Sequence, residues 1–210
     1  MDISSLLKKL KPEHLDALKE VGNIGSGNAA TSLSQLLNKK VDMKVPYAKI
    51  MPIGKIPEIV GGADKVTFSV FMHTTGELEL GILFIIPVET GFELIEKLLG
   101  KKVEDLSEIT ELESSVILEL GTIMSGTFLS AFTDFVKVDA KPSVPDMIID
   151  MAGSVLDEVL IGFEKAVDYA LLVETMFKMD DESMDAHVLM LFEPDSLLKI
   201  LKAMHLELEM

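Results

Sequence analysis

Seven residues recur in this chain at one fixed distance. Glu20 and Glu119, Gly22 and Gly121, Ile24 and Ile123, Ser26 and Ser125, and Gly27 and Gly126 each lie 99 positions apart (119 − 20, 126 − 27). Pro46 and Pro145, then Ile50 and Ile149, keep that distance in the stretch that follows. A shared offset across two kinds of segment constrains the fold more tightly than composition does. Whatever residues about 12–100 build, residues about 110–205 should build again. We read the twice-written Glu-x-Gly-x-Ile-x-Ser-Gly as a duplication inside one domain covering residues 1–210.

Each copy sits within a helical pattern. From Pro12 to Leu37, Leu15, Leu18, Gly22, Gly25, Ala29, Leu33 and Leu36 fall on one side at helical spacing and read as a core face. Glu13, Asp16, Glu20, Asn23, Gly27, Thr31 and Ser34 form the opposite, polar stripe. Glycine inside a helix costs about 1 kcal/mol relative to alanine, so Gly22, Gly25 and Gly27 imply a compensating gain. On the inner face that gain is close packing; on the outer face it is room for a partner's backbone. Pro12 and Glu13 suit the helix start, and the basic pair after Asn38 suits its end. The second copy opens at a capping box, Thr110-x-x-Glu113, and runs to about Phe135 with Ile117, Gly121, Met124, Phe128 and Phe132 inside.

Strands are expected at Val41–Ile50, where Pro46 marks an edge or a bulge, and at Val66–Thr74 and Leu78–Ile86, joined through Thr75-Gly76-Glu77. Met51–Gly62 reads as irregular. Val88–Leu99 reads as an amphipathic helix closed by Gly100. In the second half, Val144–Ile149, Asp168–Met179 and Met184–Phe192 read as strands, with Ala152–Phe163 and Pro194–Met204 as helices. The expected architecture is α+β: pseudo-two-fold αβ units, a mainly antiparallel six-stranded sheet and two long helices packed on it.

Several function classes fall away on composition. A formal net charge of −16 argues against nucleic acid and against an anionic membrane surface. No uninterrupted apolar run reaches a bilayer's width, and Met1-Asp2-Ile3-Ser4-Ser5 lacks a secretory layout, so a cytoplasmic setting is expected. The chain has no cysteine, which removes thiol chemistry and disulfides. His14, His73, His187 and His205 are scattered, so no metal site is expected. The thirteen methionines read as core filler and Asp180-Asp181-Glu182 as a solvated turn. A phosphate-cradling loop is the obvious alternative for Gly22-Asn23-Ile24-Gly25-Ser26-Gly27. Such loops follow a strand and open a helix, whereas this stretch lies mid-helix and lacks Gly-Lys-Ser/Thr.

Glu20 and Asn23, three residues apart, project together from the polar stripe. This Glu-x-x-Asn on a glycine-rich first helix, echoed a hundred residues later, resembles the CheC family of chemotaxis phosphatases, relatives of CheX, FliY and FliM. The likeness runs from Leu15 to Met204 and includes the Val45-Pro46 strand, Ile149-Asp150-Met151 and Val173-Glu174-Thr175. It implies a protein phosphatase acting on the aspartyl phosphate of the response regulator CheY. Glu20 would pair with a regulator lysine, and Asn23 would enter the regulator's active site to orient water. The regulator would supply the Mg²⁺, leaving no cofactor for this chain. A carboxamide suits that task because it donates and accepts hydrogen bonds without changing charge. The second copy, Glu119 with Thr122, departs from the pattern, and a hydroxyl cannot reproduce the two-pronged amide contact; that site is expected to be degenerate. The resemblance also implies the deamidase CheD as a partner, and leaves open a non-catalytic, FliM-like adaptor that binds CheY or CheD.

Overall fold

The computed structural model describes residues 11–163, 168–179 and 182–203. Met1–Ser5, His205 and the acidic pair Asp180 and Asp181 lie outside the described residues. The chain begins with α1 (Pro12–Leu37), followed by β1 (Val41–Lys44), β2 (Ala48–Pro52), a 3-10 turn at Ile53–Lys55 and the short α2 (Ile56–Ile59). Then come β3 (Val66–Gly76), β4 (Leu80–Pro87) and α3 (Val88–Leu99). After a second 3-10 turn at Leu106–Glu108 the order is α4 (Glu111–Val136), β5 (Ala140–Pro142), β6 (Asp146–Met151), α5 (Ala152–Ile161), β7 (Tyr169–Met179), β8 (Glu182–Phe192) and α6 (Pro194–Ala203).

The eight strands form one antiparallel sheet with six lanes, because β1 and β2 share one edge of β7 and β5 and β6 share one edge of β3. Across the sheet the order is β1/β2, β7, β8, β4, β3, β5/β6. The expectation of six strands is corrected to eight among the described residues. Each edge lane is broken at its proline-containing bend. Lys44 pairs with Met176 and Ala48 with Val173, so Val45, Pro46 and Tyr47 oppose only two residues. Pro142 pairs with Thr74 and Asp146 with Phe71, which makes the same one-residue bulge at Ser143-Val144-Pro145. Proline lacks the donor a continuous ladder needs, and a bulge at a sheet edge also discourages pairing with other chains.

Both faces of the sheet are covered. On one, α1 and α4 lie side by side with α3, burying Leu18, Leu33, Ile117, Met124, Phe128, Phe132 and Leu94 against Val70, Phe84 and Val188. On the other, Ile53 and Ile56 join Val155, Leu156 and Val159 of α5 over Leu83, Ile85, Leu172 and Leu189. The central β4, sandwiched this way, is apolar at nearly every position, Leu80 through Ile86. By length and mean composition alone α4 could cross a bilayer, although Glu119 and Asp134 interrupt its apolar run. Its Ile117, Leu120, Met124, Phe128 and Phe132 are instead buried in the protein, as in a core helix.

Local signals explain most boundaries. Glu113 closes the capping box: its carboxylate accepts from the Thr110 backbone N–H at 2.9 Å and from the Thr110 hydroxyl, and Lys101 Nζ lies 2.9 Å from Oε1. These partners hold the Glu113 carboxyl at about 2. Gly100 ends α3 with φ +67°. At the end of α1 the expected basic complement is absent from the last turn; Asn38 at φ +49° makes the cap, its N–H bonding Ser34 O. Leu36, assigned to the core face, is 53% exposed, and its neighbour Leu37 packs against the core instead. Ser34 is half-buried rather than outward, its hydroxyl accepting the Val41 N–H at 3.0 Å and tying the helix to β1. The strand expected at Val41–Ile50 is two strands, Met51–Gly62 holds strand, 3-10 turn and helix, and β3 runs on to Gly76 so that the hairpin turns at Glu77–Glu79.

Candidate functional site

The outer stripe of α1 is open where the sequence places the candidate pair. Glu20 and Asn23 are both exposed, and among the described residues none engages either side chain. One turn on, a Cβ at Gly27 would meet nothing within 4 Å, and Asn28 and Thr31 are exposed beside it. Ile24, between them, is 47% exposed, an apolar side chain at the centre of a polar stripe. The sequence reading used Ile24 only as a repeat marker and missed its exposure. α1 itself holds one lysine, Lys19, against three carboxylates, Glu13, Asp16 and Glu20, so the stripe shares the acidic balance of the chain.

The buried glycines set the depth of this helix. A Cβ at Gly22 would lie 3.0 Å from Val173 Cγ1 and 3.4 Å from Val45 Cγ1; one at Gly25 would lie 3.1 Å from the Cα of Phe128 in α4. Glycine therefore lets α1 sink onto both the sheet and its neighbouring helix, which offsets its poor helix propensity.

The second copy keeps the frame but not the chemistry. Glu119 is exposed, and a Cβ at Gly126 would meet nothing within 4 Å. Thr122 is half-buried, and its hydroxyl donates back to Leu118 O at 2.6 Å, so its proton is committed within α4. Ile123 is half-buried, unlike Ile24. A Cβ at Gly121 would lie 2.4 Å from Val70 Cγ2, closer than any contact under Gly22. The hydroxyls of Ser26 and Ser125, also 99 apart, are both buried without a hydrogen-bond partner.

Behind α1, on the far face of the sheet, lies a polar group that the sequence did not announce. The Glu174 carboxylate beside the Tyr47 phenol, together with burial, pushes the phenol up to about 12. Glu174 also donates its backbone N–H to Tyr47 O at 3.2 Å. Across the ladder from Glu174 sits His187, only 5% exposed, with Nδ1 unpartnered; burial pushes its pKa down against the opposing pull of Glu174 and Asp185. His73 is exposed, and its backbone pairs with Ser143. Among the described residues no group of three or more His, Cys, Asp or Glu side chains is placed to hold a metal ion.

Comparison with known proteins places these features in a family. Residues 13–50, which carry Glu20 and Asn23, match the CheC-like family model. The chain is 35% identical over 204 residues to the CheY-P phosphatase CheC of Bacillus subtilis, covering 95% of this chain and 98% of that one. A shorter stretch of 43 residues is 49% identical to the flagellar motor switch phosphatase FliY of the same organism, 20% of this chain and 11% of that one. In fold, the chain is similar to Thermotoga maritima FliY, with a TM-score of 0.71 at 20% identity over 93% of this chain and 98% of that one. The middle domain of FliM from H. pylori gives a TM-score of 0.66 at 13% identity over 92% and 99%. With a third of its residues shared along nearly the full length of the Bacillus subtilis protein, the chain belongs to the CheC family.

Proposed function

We propose that this chain accelerates hydrolysis of the aspartyl phosphate on the response regulator CheY, with Glu20 docking the regulator and Asn23 holding the attacking water. Kinship supports the general activity, since the Bacillus subtilis relative is a CheY-P phosphatase. One observation supports the residues: a carboxylate and a carboxamide, three apart, both exposed and without a side-chain partner among the described residues, beside an uncovered Gly27.

In this reading Asn23 enters the pocket in which the regulator's own Mg²⁺ and carboxylates hold the phosphoryl group. Its carbonyl accepts a hydrogen bond from water and aims a water lone pair at phosphorus. The water oxygen bonds to phosphorus as the bond to the aspartyl oxygen breaks. The aspartate leaves as a carboxylate, and inorganic phosphate carries the water's protons away. Nothing on this chain is covalently modified, and Asn23 keeps one charge state throughout. Glu20 contributes to docking through a lysine of the regulator, an interaction that salt weakens.

The test is phosphate release from phosphorylated regulator. Asn23→Ala is expected to remove most of the acceleration while regulator binding persists; Glu20→Ala is expected to weaken binding, more at low salt than at high. Retention of the wild-type rate by Asn23→Ala would overturn the assignment. A binding-only adaptor draws support from the likeness to the FliM middle domain. It predicts regulator binding with no added hydrolysis even in the wild type. CheD is a second proposed partner, and a shared cytoplasmic setting follows from the proposed substrate. We also read residues about 12–100 and 110–205 as two repeats of one unit.

A further inference from the structure

A partner that settles over Glu20 and Asn23 must also settle over Ile24. Glu20, Asn23, Ile24, Gly27 and Thr31 stand at i, i+3, i+4, i+7 and i+11, which makes them one face of α1. All five are exposed. Gly27 has no side chain, and a Cβ there would meet nothing within 4 Å, so a partner can reach the flank of Ile24 unobstructed. Thr31 donates its hydroxyl to Gly27 O at 2.9 Å, which commits its proton within the helix. The face therefore offers one large apolar side chain, 47% exposed, beside the carboxylate and the carboxamide. A single exposed isoleucine is ordinary on a protein surface. The second copy shows that this exposure is not forced by the repeated frame. In α4 the same face is Glu119, Thr122, Ile123, Gly126 and Ser130, and there Ile123 is half-buried and packs against the core.

We propose that Ile24 is the apolar anchor of this docking face, inserting into an apolar depression on the regulator beside its phosphorylated aspartate. The proposal rests on the reading of Glu20 and Asn23 given above. Charge gives such a docking little help. The chain carries a formal charge of −16, and α1 sets one lysine against three carboxylates. The pocket that Asn23 would enter is itself lined by carboxylates around a phosphoryl group, so acid approaches acid. Burial of apolar surface is indifferent to that opposition, and salt does not screen it. Ile24 thus supplies the affinity that the single contact of Glu20 with a lysine cannot supply alone. It is a binding residue: it touches the regulator's surface, while Asn23 alone reaches the reacting water. α4, with Ile123 tucked against the core, has no such anchor.

The test reads rate and affinity separately. Steady-state dephosphorylation would be followed against regulator concentration for the wild type, Ile24→Ala, Ile24→Met, Ile161→Ala and Asn23→Ala. Titration calorimetry would use regulator held in its phosphorylated conformation by beryllium fluoride. Ile24→Ala should raise both KM and Kd roughly tenfold, at low and high salt alike, with kcat changed less than about twofold. Its thermal melt should match the wild type, since the side chain supports no core. Ile24→Met restores apolar reach and should recover most of the loss. Ile161, 84% exposed on α5, is the control, and Ile161→Ala should leave KM where it was. Wild-type KM and Kd in Ile24→Ala overturn the anchor, as does an equal loss in Ile161→Ala or a loss confined to kcat. If Asn23→Ala keeps the wild-type rate, the catalytic reading fails and calorimetry alone decides. A roughly tenfold weaker Kd for Ile24→Ala then upholds the anchor, and an unchanged Kd overturns it. A wild type that binds no regulator overturns both.

Discussion

α1 and α4 share two glycines, a glutamate and a serine at one spacing, with Met124 standing where α1 has Gly25, and they meet their surroundings differently. α1 rests on Val173 and on Val45 of a tucked-in bend, and presents Asn23, Ile24 and Gly27 outward. α4 lies harder on the sheet, with Val70 where a Gly121 Cβ would go, and turns its Thr122 hydroxyl back onto its own carbonyl. The lesson is that a repeated frame preserves packing first. Surface chemistry can then diverge at one or two positions without disturbing the fold.

The largest expected effect breaks the comparison on the α1 side. Asn23→Ala should lower the dephosphorylation rate by about 10²-fold, the scale expected when an orienting group is lost, with circular dichroism unchanged. Next in size is a change under α4. Gly121→Ala should destabilise the chain by about 1–3 kcal/mol in denaturant melts, because Val70 must shift to admit the methyl group. The same change at the solvent-facing glycines should do the reverse. Gly27→Ala and Gly126→Ala should each stabilise by up to about 1 kcal/mol through helix propensity. Only Gly27→Ala should weaken regulator binding, measured by titration calorimetry, because only that methyl group fills the proposed docking surface.

Two smaller effects sharpen the contrast. The start of α4 depends on an ionised Glu113, whereas α1 begins with His14 Nδ1 accepting the Lys11 N–H at 3.0 Å. Folding holds the Glu113 carboxyl at about 2, below its ordinary 4.5, so its stabilising effect is complete above 4.5 and is lost as pH falls from 4.5 through 2. Acid melts of Glu113→Gln should therefore show a shallower pH dependence across that window than the wild type. Ser26→Ala and Ser125→Ala should be close to neutral, or stabilising by under about 1 kcal/mol, since each removes a buried hydroxyl without a partner.

Much of this was legible in the chain. The helix at Val88–Leu99 has the bounds its pattern implies, and Thr110 with Glu113 marked the start of α4 because capping is local chemistry. The outer stripe of α1 was readable because helical spacing alone decides which residues share a face. Pro46 announced a break, since proline lacks a donor. Three things were not readable. That Leu37 rather than Leu36 packs on the core depends on how the last turn of α1 settles, which the spacing of two adjacent leucines does not decide. That Thr122 spends its hydroxyl within α4 is a rotamer choice. And Tyr47 meets Glu174 only because β2 of one half pairs with β7 of the other, a register no local pattern encodes.

The most direct measurement is single-turnover decay of phosphorylated regulator mixed with excess chain, comparing Asn23→Ala with Thr122→Ala. The account predicts decay at the regulator's own rate for the α1 variant and at the wild-type rate for the α4 variant. Fast decay with Asn23→Ala, or slow decay with Thr122→Ala, would contradict it.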